Sequence, residues 1–326
     1  MGLYATFSDN VKRSPRFALI LGLLLYLFSL MTLIPLLMQV LSWAFDLPMQ
    51  ELQTIMQGNI EGNASIFRWM QAGNQVLTWG LVGWLMARMV QRPALELQLR
   101  APEQTWQGGL TPLIILCSLP LVQWLQIDAE GLELPSQLEG IEAWMEEQES
   151  VFGDALNAIL MVNAVPTLLA NLLVFAVVPA FSEEIFFRGF LQRQLMRAFR
   201  SPWVAILVQA LIFSFIHFQF YGFFARAFLG AILGYAAWRS RSLWPCILGH
   251  FCFNGSSVLM AYVAAAKAEA TATPPSAELS FSPWFILASL VLVAALLLLF
   301  QRLSSMPPAP ERSSSTTSTS SLDPHE

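Results

Sequence analysis

Long apolar runs broken by short charged clusters set the pattern of this chain. Phe17 to Val40 contains no charged residue, and neither does Trp284 to Phe300. An apolar stretch of about 18 or more residues can cross a bilayer as a helix, because the hydrocarbon core is ~30 Å thick and a helix rises ~1.5 Å per residue. The pattern predicts about eight spans, at roughly 17–40, 74–91, 110–126, 163–187, 203–219, 222–238, 243–264 and 283–301. The third is the weakest, because Pro112 and Pro120 interrupt it. The expected fold class is all-α, a polytopic helical membrane protein.

Basic residues orient these spans, since Lys and Arg favour the cytoplasmic side. With Lys12, Arg13 and Arg16 inside, alternation brings inside Arg88, Arg92 and Arg100, then Arg188, Arg193, Arg197 and Arg200, then Arg239 and Arg241, then Arg302 and Arg312. Only Arg68, Arg226 and Lys267 of the 17 basic residues fall elsewhere. Both termini are therefore expected in the cytoplasm, and an odd number of spans would break the agreement. Arg226, in the outer half of its span, is expected to snorkel to the outer interface.

Composition agrees. Hydrophobic residues make up 56% of the chain and charged ones 12%, about half the charged share of a soluble domain. The net charge of −5 gives no reason to expect a nucleic-acid partner. Cys117, Cys246 and Cys252 all lie in apolar runs, so neither a disulfide framework nor a Cys-x-x-Cys metal pair is expected. The first run is too long for a signal-peptide core and reads as a retained anchor.

The chain divides into residues 1–162, 163–264, 265–303 and 304–326. The first part holds N-terminal spans and an acidic segment, 128–154, expected as an amphipathic helix at the outer surface. The second holds the polar residues inside apolar helices, and the third the last span. The fourth is a Ser/Thr/Pro tail with too little apolar surface to bury and is expected to be disordered.

Ionisable groups inside spans are costly and therefore candidates for function. They are Glu183, Glu184 and Arg188 in the fourth span, His217 in the fifth, Arg226 in the sixth and His250 in the seventh. A helical hairpin turning at Arg200-Ser201-Pro202 would bring Glu183 and His217 to similar heights above the turn. His250 would stand roughly 13 Å above the turn at Arg241, with Asn254 at i+4 on the same face. All four could then meet in the cytoplasmic half of the bilayer. A carboxylate in a low-dielectric pocket can act as general base, and an imidazole can share the activation of water. A His–Asn pair offers donors to a developing oxyanion. That chemistry suits hydrolysis of a peptide bond. Glu184 and Arg188, at i and i+4, are spaced for a helix ion pair. Gly230 and Gly234 form a small-xxx-small pattern, expected to serve close helix packing.

Glu183-Glu184-Ile-Phe-Phe-Arg188, Phe213-Ser-Phe-Ile-His217 and His250-Phe-Cys-Phe-Asn254 occur in this order, each in an apolar helix. Over roughly 165–258 this resembles the CAAX protease and bacteriocin-processing (CPBP, or Abi) family of intramembrane proteases. The resemblance implies that Glu183 activates water with His217. It implies that His250 and Asn254 stabilise the oxyanion and that Glu184 and Arg188 support the site. The expected substrate is a membrane-associated protein or peptide cut near the cytoplasmic side, and the expected location is a plasma membrane, with a bacterial cell membrane favoured.

If the site takes a metal, Glu183, His217 and His250 are its ligands and zinc is the natural ion. The His-Glu-x-x-His helix of zincins is absent, and direct activation of water by Glu183 and His217 is the leading alternative. Two other functions stay open: a proton-coupled transporter, which also uses buried Glu and His, and a non-catalytic immunity or scaffold protein on the same fold. No internal repeat of the kind common in transporters is evident.

Overall fold

A computed structural model describes residues 14–60, 62–90, 98–130, 135–160, 164–271 and 281–304, with side chains throughout except at 127–130 and 152. Among these residues the structure is helical, with no β-strand. Where α-helical and π-helical stretches run on without a break they are taken together. The helices are then α1 (Pro15–Phe45), α2 (Met49–Met56), α3 (residues 64–90), α4 (Gln107–Cys117), α5 (Leu119–Glu130), α6 (Glu139–Leu160), α7 (Val165–Phe199), α8 (Pro202–Phe215), α9 (Phe223–Ser240), α10 (Trp244–Thr271) and α11 (Pro283–Leu303). The termini assigned to the cytoplasm, with Lys12, Arg13, Arg312 and the tail beyond Ser304, lie outside the described residues, as does Arg92.

Helix starts follow local chemistry. Ser14 caps α1 by accepting from the Phe17 N–H, and Ser201 caps α8 by accepting from the Val204 N–H. Each is followed by a proline at the first helical position, where no N–H is needed. The third predicted span divides at Ser118 into α4 and α5, bent by 42°; Pro120 lies in the first turn after the break, whereas Pro112 lies inside the unbroken α4.

Four helices, α1, α7, α10 and α11, are each long and apolar enough to cross a membrane, and α4 with α5 can make a fifth span. The other three predicted spans fall short for separate reasons. α8 has 14 residues, or about 21 Å of helix against a core of ~30 Å. α9 carries Arg226 and Arg239 within its 18 residues. α3 starts ten residues earlier than predicted, and its stretch within the predicted span carries Asn74, Gln75 and Arg88. Exposed Leu, Val, Ile and Phe side chains stud α1 and α11, the faces a lipid chain would cover.

One end of the bundle gathers three connections. The Glu103 N–H donates to Ser240 O at 3.3 Å and the Leu243 N–H to Gln98 O at 3.1 Å. Buried Arg239 donates to the carbonyls of Gln301 (2.7 Å) and Ser304 (2.9 Å), closing the C-terminus of α11. Trp203 stacks on Tyr235, which brings the start of α8 to the same end. The opposite end carries the turn from α8 to α9, where Trp144 of α6 packs on Phe220 at 5.3 Å and Phe218 at 6.4 Å between ring centroids. The acidic segment 128–154 is not one helix among the described residues: its start belongs to α5, and it is helical again from Glu139 in α6, whose Trp144 lies over that turn.

Small residues set the packing between these layers. Arg188 donates to Gly230 O at 3.1 Å and Gln192 to Gly234 O at 2.9 Å, latching α7 to α9 over two successive turns. A Cβ on Gly230 would stand 3.3 Å from Ala210 Cα, so the small-xxx-small pattern does serve close packing. Gly80 and Gly83 do the same for α3 against α7: a Cβ on Gly83 would lie 3.0 Å from the Phe186 backbone.

Candidate active site

α7 supplies the site's two carboxylates from its most distorted stretch. A π-helical stretch, Leu173–Val177, precedes them and another, Ile185–Leu191, follows. Pro179 lies between and has no N–H for the carbonyl four residues back, Phe175. Asn254 Nδ2 of α10 donates to that carbonyl at 3.0 Å. Asn254 is therefore tied to the backbone of α7, with its second amide N–H uncommitted by this contact.

Glu183 and Glu184 are buried, at 4% and 0% exposure, but have different partners. Glu184 Oε1 accepts from Arg188 Nη1 at 2.7 Å and from His250 Nδ1 at 2.8 Å. The i, i+4 ion pair expected from spacing is present, and it also carries the imidazole of α10. The Arg188 guanidinium lies 4.7 Å from the Phe213 ring centroid. With Nδ1–H given to Glu184, His250 turns Nε2 toward Glu183, 3.8 Å from Oε2. That is too long for a hydrogen bond. Glu183 Oε2 is buried without a hydrogen-bonding partner, while its Oε1 accepts from Gln75 Nε2 at 3.0 Å.

His217 sits past the end of α8, in the turn toward α9. Its Nδ1 donates to Phe213 O at 2.7 Å, since a carbonyl only accepts. Nε2 is left for other work. Glu183, His250 and Arg226 are the charged side chains near enough to act on His217 electrostatically. Phe213 spaces the two imidazoles, its centroid 5.2 Å from His217 and 6.0 Å from His250. Phe218, next to His217, has φ of +52°, a left-handed conformation that costs a bulky residue roughly 1–2 kcal/mol and marks the turn as held by its surroundings.

The structure thus joins Glu183, Glu184, Arg188 and His250 directly, brings His217 beside them, and fixes Asn254 one helical turn further along α10. Arg226 is half-buried and reaches the α8–α9 turn, where it donates to Gln219 Oε1 at 3.2 Å, near His217. His250 is nine residues past Arg241, and His217 is beyond the 14 residues of α8, which puts them about 13 Å and 21 Å of helix from the same end of the bundle. Gln75 takes part in the site without having been singled out by sequence, and Phe213, quoted there only as the first residue of a motif, packs against both imidazoles. For Gln75, a polar residue at the start of an apolar span was the one available signal.

The residues proposed as zinc ligands do not fit a metal site as they stand. Among the described residues no group of three or more His, Cys, Asp or Glu side chains is disposed to hold a metal ion.

Fold and site together define a polytopic helical membrane protein with a buried carboxylate–imidazole cluster. Residues 165–256 match the family model described as Type II CAAX prenyl endopeptidase Rce1-like, and over this segment the chain is similar to the CAAX protease family. Searches of curated proteins and of solved structures found no match.

Proposed function

We propose that this chain is an intramembrane endopeptidase that hydrolyses a peptide bond in a membrane-held protein or peptide. The observation that carries the reading is the asymmetry of Glu183: one oxygen is held by Gln75 and the other is buried, unpartnered and 3.8 Å from His250 Nε2. A free carboxylate oxygen in a dry site is a general base for water, and His217 Nε2 is the second group suited to share the proton. The hydroxide equivalent adds to the scissile carbonyl. The oxyanion is met by His250 Nε2–H and the second N–H of Asn254, and the proton passes to the leaving amine. Arg188 and Glu184 hold His250 in its orientation.

The family description names a prenyl endopeptidase, which favours a lipid-anchored C-terminal segment as substrate. The proposal extends to eight crossings of a plasma membrane with both termini cytoplasmic. It is supported by the shared end that carries Arg100, Arg200, Arg241 and Arg302. The test compares membranes carrying the native chain, Glu183→Ala or His217→Ala at equal abundance, with proteomics of uncut membrane proteins. Substrates accumulate in both variants. Variants indistinguishable from native protein would remove the protease reading.

A further inference from the structure

Glu183 is held by a residue far outside the segment that matches the family. Gln75 belongs to α3, and its amide donates to Glu183 Oε1 at 3.0 Å. Two features of α3 make this contact possible. Gly80 and Gly83 let α3 lie against α7 on either side of Glu183: a Cβ on Gly80 would stand 3.3 Å from Ser182 Cβ, and one on Gly83 3.0 Å from the Phe186 backbone. Gln75 also opens a π-helical stretch, Gln75–Gly80, a local widening that recurs where a helix turns a side chain to functional use. Thr78 bonds Asn74 Oδ1 at 3.0 Å and Ser29 of α1 bonds Leu77 O at 3.1 Å, anchoring the stretch on both sides.

We infer that Gln75 is the positioning residue of the general base: it pins Glu183 Oε1 and so presents Oε2 to water and to His250. This deepens the protease reading and rests on it. An amide suits the task chemically. It donates a strong hydrogen bond to a carboxylate, yet brings no charge of its own into a dielectric where charge is costly. Its own Oε1 is buried without a partner beside the site.

The test uses the full-length chain in detergent or vesicles, with Gln75→Met to keep the volume and remove the donor, and Gln75→Asn as the conservative change. On a fluorogenic peptide cut by the native chain, Gln75→Met lowers kcat by ~10- to 100-fold, the range expected for one hydrogen bond to a buried charge, and leaves KM within about threefold. Gln75→Asn recovers part of the loss. In a Glu183→Gln background, Gln75→Met changes the residual rate by less than about twofold, because the residue acts through Glu183. Equal losses in both backgrounds, or unchanged kcat in Gln75→Met, overturn the assignment.

A second readout needs no turnover. A hydrophobic carbodiimide modifies carboxyl groups inside membranes, and freeing Oε1 raises its labelling of Glu183 severalfold in Gln75→Met, read by peptide mass spectrometry. Unchanged labelling overturns the assignment even if the native chain cuts nothing. A native chain without Glu183-dependent cleavage but with increased labelling of Glu183 in Gln75→Met overturns the protease reading alone.

Discussion

Replacing Arg188 by Met tests the energetics of the site most directly. Arg188 and Glu184 are both fully shielded from solvent, with Nη1 and Oε1 2.7 Å apart. Methionine keeps much of the volume and the helix propensity, so cavity formation is a small part of the effect. What remains is a carboxylate with 0% exposure, held by His250 alone. Breaking a buried pair by removing one partner costs about 3–5 kcal/mol, since the surviving charge keeps its desolvation penalty and loses its compensation. The bond from Nη2 to Gly230 O at 3.1 Å is lost as well, as is the stacking on Phe213; both are counted within that range, since neighbouring terms do not add. A loss near 4 kcal/mol is a large share of the 5–15 kcal/mol that typically separates folded from unfolded chains.

Thermal unfolding in detergent, followed by tryptophan fluorescence, reads this as a fall of about 8 °C at ~2 °C per kcal/mol. The control is the double variant Glu184→Gln/Arg188→Met. It removes both charges and recovers at least half the loss, as paired replacement of buried ions does elsewhere. A single variant within about 2 °C of native, or a double variant no better than the single, refutes the argument that this pair is charged and mutually dependent.

Other consequences follow from particular contacts. Gly83→Ala drives a Cβ to 3.0 Å from the Phe186 backbone; it destabilises by ~1–3 kcal/mol and lowers turnover, because α3 must withdraw Gln75 from Glu183. Gly109→Ala, with nothing within 4 Å of the added carbon, stabilises α4 by about 0.5–1 kcal/mol, and a matched pair of melting curves separates the two. Asn254→Ala lowers kcat by at least ~100-fold if its second N–H serves the oxyanion; full activity in the folded fraction limits Asn254 to its bond with Phe175 O.

Much of the bundle was readable in the order of residues, for reasons that particular elements show. α1 and α11 are uninterrupted apolar runs, and no soluble alternative accounts for them. Ser14-Pro15 and Ser201-Pro202 announce helix starts through their own hydrogen bonds and dihedrals, and Pro120 announces the break between α4 and α5, while Pro112 is carried inside α4. The ion pair of Glu184 with Arg188 follows from one helix's geometry. Contacts between helices were harder to read. Hydropathy carries a span through His217, whereas α8 stops at Phe215 and leaves the imidazole in a turn. π-helical stretches in α1, α3 and α7 shift the faces that a regular 3.6-residue repeat would assign. Nothing in local spacing says that Gln75 meets a glutamate 108 positions later. The count of spans blurred at α8, which is shorter than a bilayer core, and at α3 and α9, which are not among the helices long and apolar enough to cross.

The pairing of Gln75 with Glu183 also bears on how the chain enters the membrane. Synthesis runs from the N-terminus, so α3 is laid down before α7, and α10 comes last of the three. When the acidic pair reaches the bilayer, Glu184 brings its arginine on the same helix, and Glu183 finds an amide donor already waiting in α3. Each carboxylate therefore has a companion before His250 has left the ribosome. Insertion and catalysis place opposite demands on a buried acid, shelter in one case and a free oxygen in the other. On the proposed mechanism they are met in sequence: α3 comes first with Gln75, and α10 later brings His250 beside the oxygen left open.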